Sequence, residues 1–110
     1  QIEFKDFLKV DICVGEIISA KINEKARKPA YILEINFGKE YGIKWSSAQI
    51  CENYEIDELI GTQIIAVMNF APKLVAGFKS EVLVLAIVCD DNGTVLVRPD
   101  KKVAIGEKLA

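Results

Sequence analysis

The first apolar run, "IEFKDFL" at residues 2–8, puts Ile2, Phe4, Phe7 and Leu8 near one side of a short helix, with Asp6 and Lys9 facing away. Strand alternation is the rival reading for so short a run. An apolar chain end of this kind packs on its own domain or on a partner. Residues 12–22, "ICVGEIISAKI", read as a strand, and Gly15 inside it predicts a bulge or a sharp bend. "NEKARKP" at 23–29 is a polar loop or short turn, and Pro29 argues against a continuing helix. "AYILEINF" at 30–37 is a second strand, turned by Gly38 and Lys39 into a third at 41–46, "YGIKWS". Residues 47–54 read as either a short helix or a turn. "EIDELIG" at 55–61 holds a helical turn with Gly61 as its C-terminal stop.

Residues 62–70, "TQIIAVMNF", predict a fourth strand, and 82–89, "VLVLAIVC", a fifth that is buried enough to lose its alternation. Between them, 69–81 reads as a surface loop mixing polar residues and turn formers with Leu74, Val75 and Phe78. "DDNG" at 90–93 predicts a tight turn, after which "TVLVRP" pairs back as a hairpin arm that Pro99 stops. The closing "KKVAIGEKLA" carries one short apolar stretch. Short strands, glycine bends and one or two helical turns predict an all-β fold: a five-stranded OB-like barrel with terminal extensions, an SH3-like barrel being the competitor.

Composition narrows the class. A chain of 110 residues, half of them apolar, is expected to form one globular domain over residues 1–110. The net charge of −2 argues against coating nucleic acid by bulk charge and leaves a local basic face open. Cys13, Cys51 and Cys89 have no C-x-x-C spacing and read as buried thiols in a reducing compartment. With no signal-like N-terminus and no apolar stretch near about 18 residues, a cytoplasmic location without membrane insertion is the expectation.

The chain has no histidine, which removes imidazole bases, His-containing triads and the usual zinc sites. Ser46 and Ser47 near Lys44 or Lys73 have no motif around them. The acidic residues Glu52, Glu55, Asp57 and Glu58 read as a solvated face, and Asp90, Asp91 and Asn92 as a turn. No glycine pattern implies a dinucleotide or triphosphate. The expectation is a protein without catalysis, cofactor or metal.

Binding is better supported. Lys21, Lys25, Arg27 and Lys28 crowd one loop against Glu24, Lys39 and Lys44 follow, and Lys73 and Lys79 come from the 69–81 segment. On one barrel face they would attract phosphates despite the acidic total, because the field is local. Ser46, Ser47, Gln49, Asn69 and Ser80 add neutral hydrogen-bonding groups, and Tyr31, Trp45 and Phe78 offer surfaces for a base or an apolar side chain. The plainer readings are solubility for the lysines and core packing for Phe37 and Phe70.

Four stretches carry a family resemblance: "DICVGEI" at 11–17, "EKARKPAYILEINFG" at 24–38, "GIKWSSAQI" at 42–50 and "VMNFAPKLVAGFKSEVLVLAI" at 67–87. Together they resemble the tRNA-binding domain found in the secretion chaperone CsaA, at the C-terminus of many bacterial methionyl-tRNA synthetases and in synthetase-associated cofactor proteins. The similarity is nearest to the CsaA group and covers nearly the whole chain. It implies an OB barrel whose terminal additions build a homodimer. It also implies a tRNA-binding face at Lys44, Ser46, Ser47, Gln49, Asn69, Lys73, Gly77, Lys79, Ser80 and Glu81. For CsaA-like members it implies binding of unfolded preproteins, linked to the export motor ATPase, with Trp45, Phe70, Leu74 and Phe78 as peptide-contacting candidates. Two positions depart from the pattern: Cys13 stands where the family has an arginine, and Trp45 where a polar residue is usual.

Overall fold

In the computed structural model, which describes residues 1–110, the longest strand, β1 (Ile12–Ile22), organises the rest. It pairs antiparallel with β2 (Tyr31–Asn36) through its second half and with β4 (Gln63–Val67) through its first. β2 pairs in turn with β3 (Ile43–Ala48), and β4 with β7 (Leu83–Val84), giving the order β3-β2-β1-β4-β7. The two outer edges then meet. Glu81 N–H donates to the Trp45 carbonyl at 2.8 Å, and Ser47 N–H donates to Ser80 Oγ at 3.1 Å. The result is the nearly closed, five-stranded OB-type barrel that the strand spacing predicts.

Alternation explains the core. Leu33 and Ile35 of the second strand, with Phe37 just past its end, meet Ile17 of the first and Ile64 and Ala66 of the fourth, all fully buried. The irregularity in β1 is not where glycine predicted it. The extra residue is Ile18, since Ile17 faces Ile35 while Ser19 already faces Glu34. Gly15 serves another purpose: a Cβ there would lie 2.6 Å from both Ile35 Cγ2 and Phe37 Cε1. The glycine makes room for the Phe37 ring.

The 82–89 run also departs from expectation, because it is not one buried strand. Leu85 N–H donates to the Ile65 carbonyl, while the Leu85 carbonyl accepts from Val97 N–H, so the chain leaves the barrel at this residue. Beyond it, β8 (Ala86–Cys89) pairs only with β9 (Gly93–Leu96), and Val88 is 82% exposed. The "DDNG" turn forms as predicted, with Gly93 at φ +69°. Of residues 47–54, the first two complete β3 and 51–53 form a turn, with no helix, and the next helical turn, α2 (Ile56–Leu59), is followed by Gly61 at φ +86°. Within the acidic run, the Glu58 carboxylate accepts the Glu55 N–H at 2.7 Å.

The two ends behave differently. The C-terminal segment pairs with β1 of its own chain: Val14 N–H donates to the Glu107 carbonyl and Leu109 N–H to the Ile12 carbonyl. It thus covers the outer face of Val14 and Ile65, which is why these strands read as apolar on both sides. At the other end, α1 (Phe4–Phe7) leaves Ile2, Phe4 and Leu8 exposed. Asn69 ties this segment down, accepting from Asp11 N–H and donating to the Lys9 carbonyl. No helix is long and apolar enough to cross a membrane.

Burial sets one pH response. The Cys13 thiol, with no exposure, is pushed from its ordinary value of 9.0 to about 11, first by burial and then by Asp11. Tyr31 and Cys51 are raised by burial, and Lys108 by its hydrogen bond to Glu40. Each group keeps its proton longer when folded than when unfolded. Their contribution is therefore complete below about pH 9 and is lost as pH climbs through the folded values. Denaturant titrations should show the unfolding midpoint falling between about pH 9 and 11, with a shallower fall for Cys13→Ala. A midpoint that is flat or rises over that window would contradict the burial.

Candidate functional site

The 69–81 segment is a hairpin, not the loop its composition suggested. β5 (Lys73–Val75) and β6 (Phe78–Ser80) pair as Lys73↔Ser80, Leu74↔Lys79 and Val75↔Phe78. Ala76 at φ 48° and Gly77 at φ 77° form the two-residue turn, both left-handed as a type I′ turn requires. Cross-strand partners share a face, so the hairpin has two. One carries Lys73, Val75, Phe78 and Ser80 toward the barrel; the other carries Lys79 and Leu74, which is 73% exposed.

Four contacts dock this hairpin on β3. The Phe78 ring stands edge-on to Trp45, with centroids 6.1 Å apart and planes at 69°. Ser80 Oγ accepts the Ser47 N–H. The Glu81 carboxylate accepts the Trp45 N–H at 3.1 Å, and its other oxygen lies 3.9 Å from Lys44 Nζ. That partly exposed ion pair contributes about 1 kcal/mol or less; the geometric constraint matters more.

On one side of the hairpin, Lys21, Trp45, Phe78, Lys79 and Glu81 line an open cleft of about 440 Å³. Through Lys21 and Phe78 it continues into a second cleft, of about 580 Å³, between the β1–β2 loop and the hairpin turn. Lys25 lines that second cleft, and its stem lies against Gly77, where a Cβ would come 3.2 Å from Lys25 Cδ. A cationic rim around two aromatic rings can take phosphate and stack a base.

On the other side, a cleft of about 410 Å³ is lined by Phe70, Val75, Val82 and Leu83 with Lys73, Ser47 and Ser80. The sequence reading puts Phe70 in the core; it is 57% exposed at the rim, because β4 ends at Val67 and the chain turns outward. This face is mostly apolar and suits an extended side chain.

The sequence-predicted residues therefore divide. Lys21, Lys25, Lys79, Trp45 and Phe78 come together, and Lys73, Ser47, Ser80 and Phe70 form a separate group. Arg27 and Lys28 are exposed on the β1–β2 loop but line neither basic cleft. Gln49 borders another apolar cleft, beside Ile50 and Val88. Ser46 is buried, its hydroxyl donating to the Ser47 and Val82 carbonyls, and Asn69 is committed to the N-terminal segment. No three His, Cys, Asp or Glu side chains converge as a metal site.

One residue escaped the sequence reading. Asn23 is buried in the β1–β2 loop, and its Oδ1 accepts the Lys25 N–H at 3.1 Å, which fixes the amide orientation. Its Nδ2 then has no partner, the one such side-chain atom in the protein. An unsatisfied buried donor costs about 1–3 kcal/mol. An Asn two residues before the backbone it caps is an Asx-turn signal, and that signal was available in "NEK".

Comparisons with known proteins agree with this architecture. The tRNA-binding domain family matches residues 12–108. The structure superposes on chaperone CsaA of Bacillus anthracis str. Ames with a TM-score of 0.93 and 48% identity, covering 100% of this chain and 99% of the other. For the CsaA chaperone protein of Picrophilus torridus the TM-score is 0.92 and the identity 49%, with 100% of both chains covered. The methionine–tRNA ligase of Pyrococcus horikoshii is 35% identical over 98% of this chain, but the match spans only 14% of the ligase. The family match, spanning all but the two ends, and the full-length likeness establish that this chain belongs to the tRNA-binding domain family.

Proposed function

We propose that the protein is a non-catalytic binding module that holds unfolded polypeptide in a chaperone-like role. The observation that carries this reading is the apolar cleft beside the hairpin, with Phe70 exposed at its margin and Val82 and half-exposed Leu83 along its wall. The full-length similarity to two CsaA chaperones supports it. Free thiols at Cys13, Cys51 and Cys89 fit a reducing, cytoplasmic setting, and the exposed Ile2, Phe4 and Leu8 fit a homodimer. Phe70→Ser with Leu83→Ser should raise the concentration needed to suppress aggregation of a reduced, unfolded protein about tenfold, equivalent to about 1.4 kcal/mol. Because both side chains are exposed, the melting temperature should hold. Unchanged suppression would remove the apolar cleft from this role.

A second reading has its own observation: Lys21 and Lys79 flank the Trp45–Phe78 pair on the opposite side of the hairpin. That arrangement, with membership of the tRNA-binding family, supports binding of structured RNA, tRNA in particular. The two readings use different clefts beside one hairpin and are compatible.

A further inference from the structure

We propose that the cleft between the β1–β2 loop and the hairpin turn is a one-nucleotide pocket, in which Asn23 Nδ2 donates to the carbonyl edge of an unpaired uracil or guanine. This rests on the RNA-binding reading above. Three observations meet here. Asn23 holds a buried donor without an acceptor, its orientation fixed by the Lys25 N–H. The cleft it lines measures about 580 Å³, within the range of roughly 300–1,000 Å³ usual for small-molecule sites. Its lining combines apolar Ile32, Ile56 and Phe78 with Lys21 and Lys25, against a single carboxylate, Glu24.

These parts match a nucleotide. The apolar wall takes the ring, the lysines take the flanking phosphates, and the amide reads the base edge. Nδ2 can only donate, and with Oδ1 held by the Lys25 N–H the amide cannot also accept from the N6 amino group beside adenine's ring acceptors; a carbonyl oxygen of uracil or guanine suits the single donor better. The exposed Lys25 stem rests against Gly77 at the edge of the cleft, and the side chains over the buried Asn23 amide must move when a base enters. In OB barrels the loops on either side of this cleft are the ones that contact oligonucleotides.

The test uses the full chain and fluorescence anisotropy with labelled uridine, adenosine and abasic RNA octamers. Wild type should bind the uridine octamer about tenfold more tightly than the adenosine one. Asn23→Asp and Asn23→Ser both keep an acceptor for the Lys25 N–H, so the loop retains its turn. Both should lose the preference, and the uncharged Ser variant should keep wild-type affinity for the abasic octamer. Equal wild-type affinity for uridine and adenosine, while tRNA still binds, overturns the pocket and leaves the RNA reading standing. So does a preference that survives in both variants. Failure of tRNA and all three octamers to bind overturns both. Displacement of the uridine octamer by an extended peptide that itself depends on Asn23 assigns the donor to a peptide carbonyl and overturns the nucleotide.

Discussion

Gly15→Ala should lower the melting temperature by roughly 5–20 °C, although it adds a single methyl group. That methyl would sit 2.6 Å from Ile35 Cγ2 and from the Phe37 ring, all within a fully buried cluster. Core overpacking of this kind costs about 1–3 kcal/mol, and each kcal/mol moves a domain of this size by about 4–8 °C. The neighbours cannot simply withdraw. Ile35 is fixed by pairing with Ile17 and Lys44, and Phe37 by backbone bonds around the Gly38 turn. Phe37→Leu should by itself destabilise, yet combined with Gly15→Ala it should recover part of the loss, giving a favourable coupling energy. Thermal melts of the three variants measure this directly. Simple additivity would mean that Gly15 is not there to admit the ring.

The second large effect concerns RNA. Lys21→Ala with Lys79→Ala should weaken tRNA binding by roughly tenfold to a hundredfold at about 0.1 M salt, and flatten the salt dependence by about two units of slope. Each phosphate contact contributes about 0.9 log units of affinity per decade of salt, and both lysines border the Trp45–Phe78 cleft. Lys73→Ala should do much less, because Lys73 lines the apolar cleft across the hairpin. The control matters because composition groups Lys73 with Lys79, while the hairpin register separates them. A Lys73 variant as impaired as the double variant would show that the phosphates follow the other face.

The two readings therefore predict different physics from one small element. Polypeptide capture by Phe70 and Leu83 should depend weakly on salt and show a negative heat-capacity change. RNA binding by Lys21 and Lys79 should weaken steeply with salt. Competition between an unfolded protein and tRNA then reports whether the faces act independently or share the hairpin.

Much of the fold was legible in the chain because its signals are local. The alternation of Leu33, Ile35 and Phe37, the turn at "DDNG" and the stop at Gly61 each depend on a few neighbouring residues and the backbone they permit. The absence of histidine and of cofactor glycine patterns removed whole classes of chemistry without any coordinates. Where local evidence was ambiguous, long-range contacts decided. Gly15 reads as a bulge, but the Phe37 ring across the sheet claims its missing side chain, and the bulge falls at Ile18. "VLVLAIVC" reads as uniformly buried, but Leu85 bonds first to Ile65 and then to Val97, and the strand leaves the barrel there.

The candidate site divides along the same line. The sequence by itself determined which residue types were available: lysines for phosphate, Trp45 and Phe78 for stacking, Phe70 and Leu74 for apolar contact. Only the tertiary structure decided which of them meet. A β-hairpin sends alternate residues to opposite faces, so Lys73 and Lys79, close in sequence, line different clefts. Barrel closure buries Ser46 beneath Val82, and the N-terminal segment claims Asn69. The unsatisfied amide of Asn23 follows from folding as well, because an Asn lacks a partner only once the surrounding chain has excluded water from it.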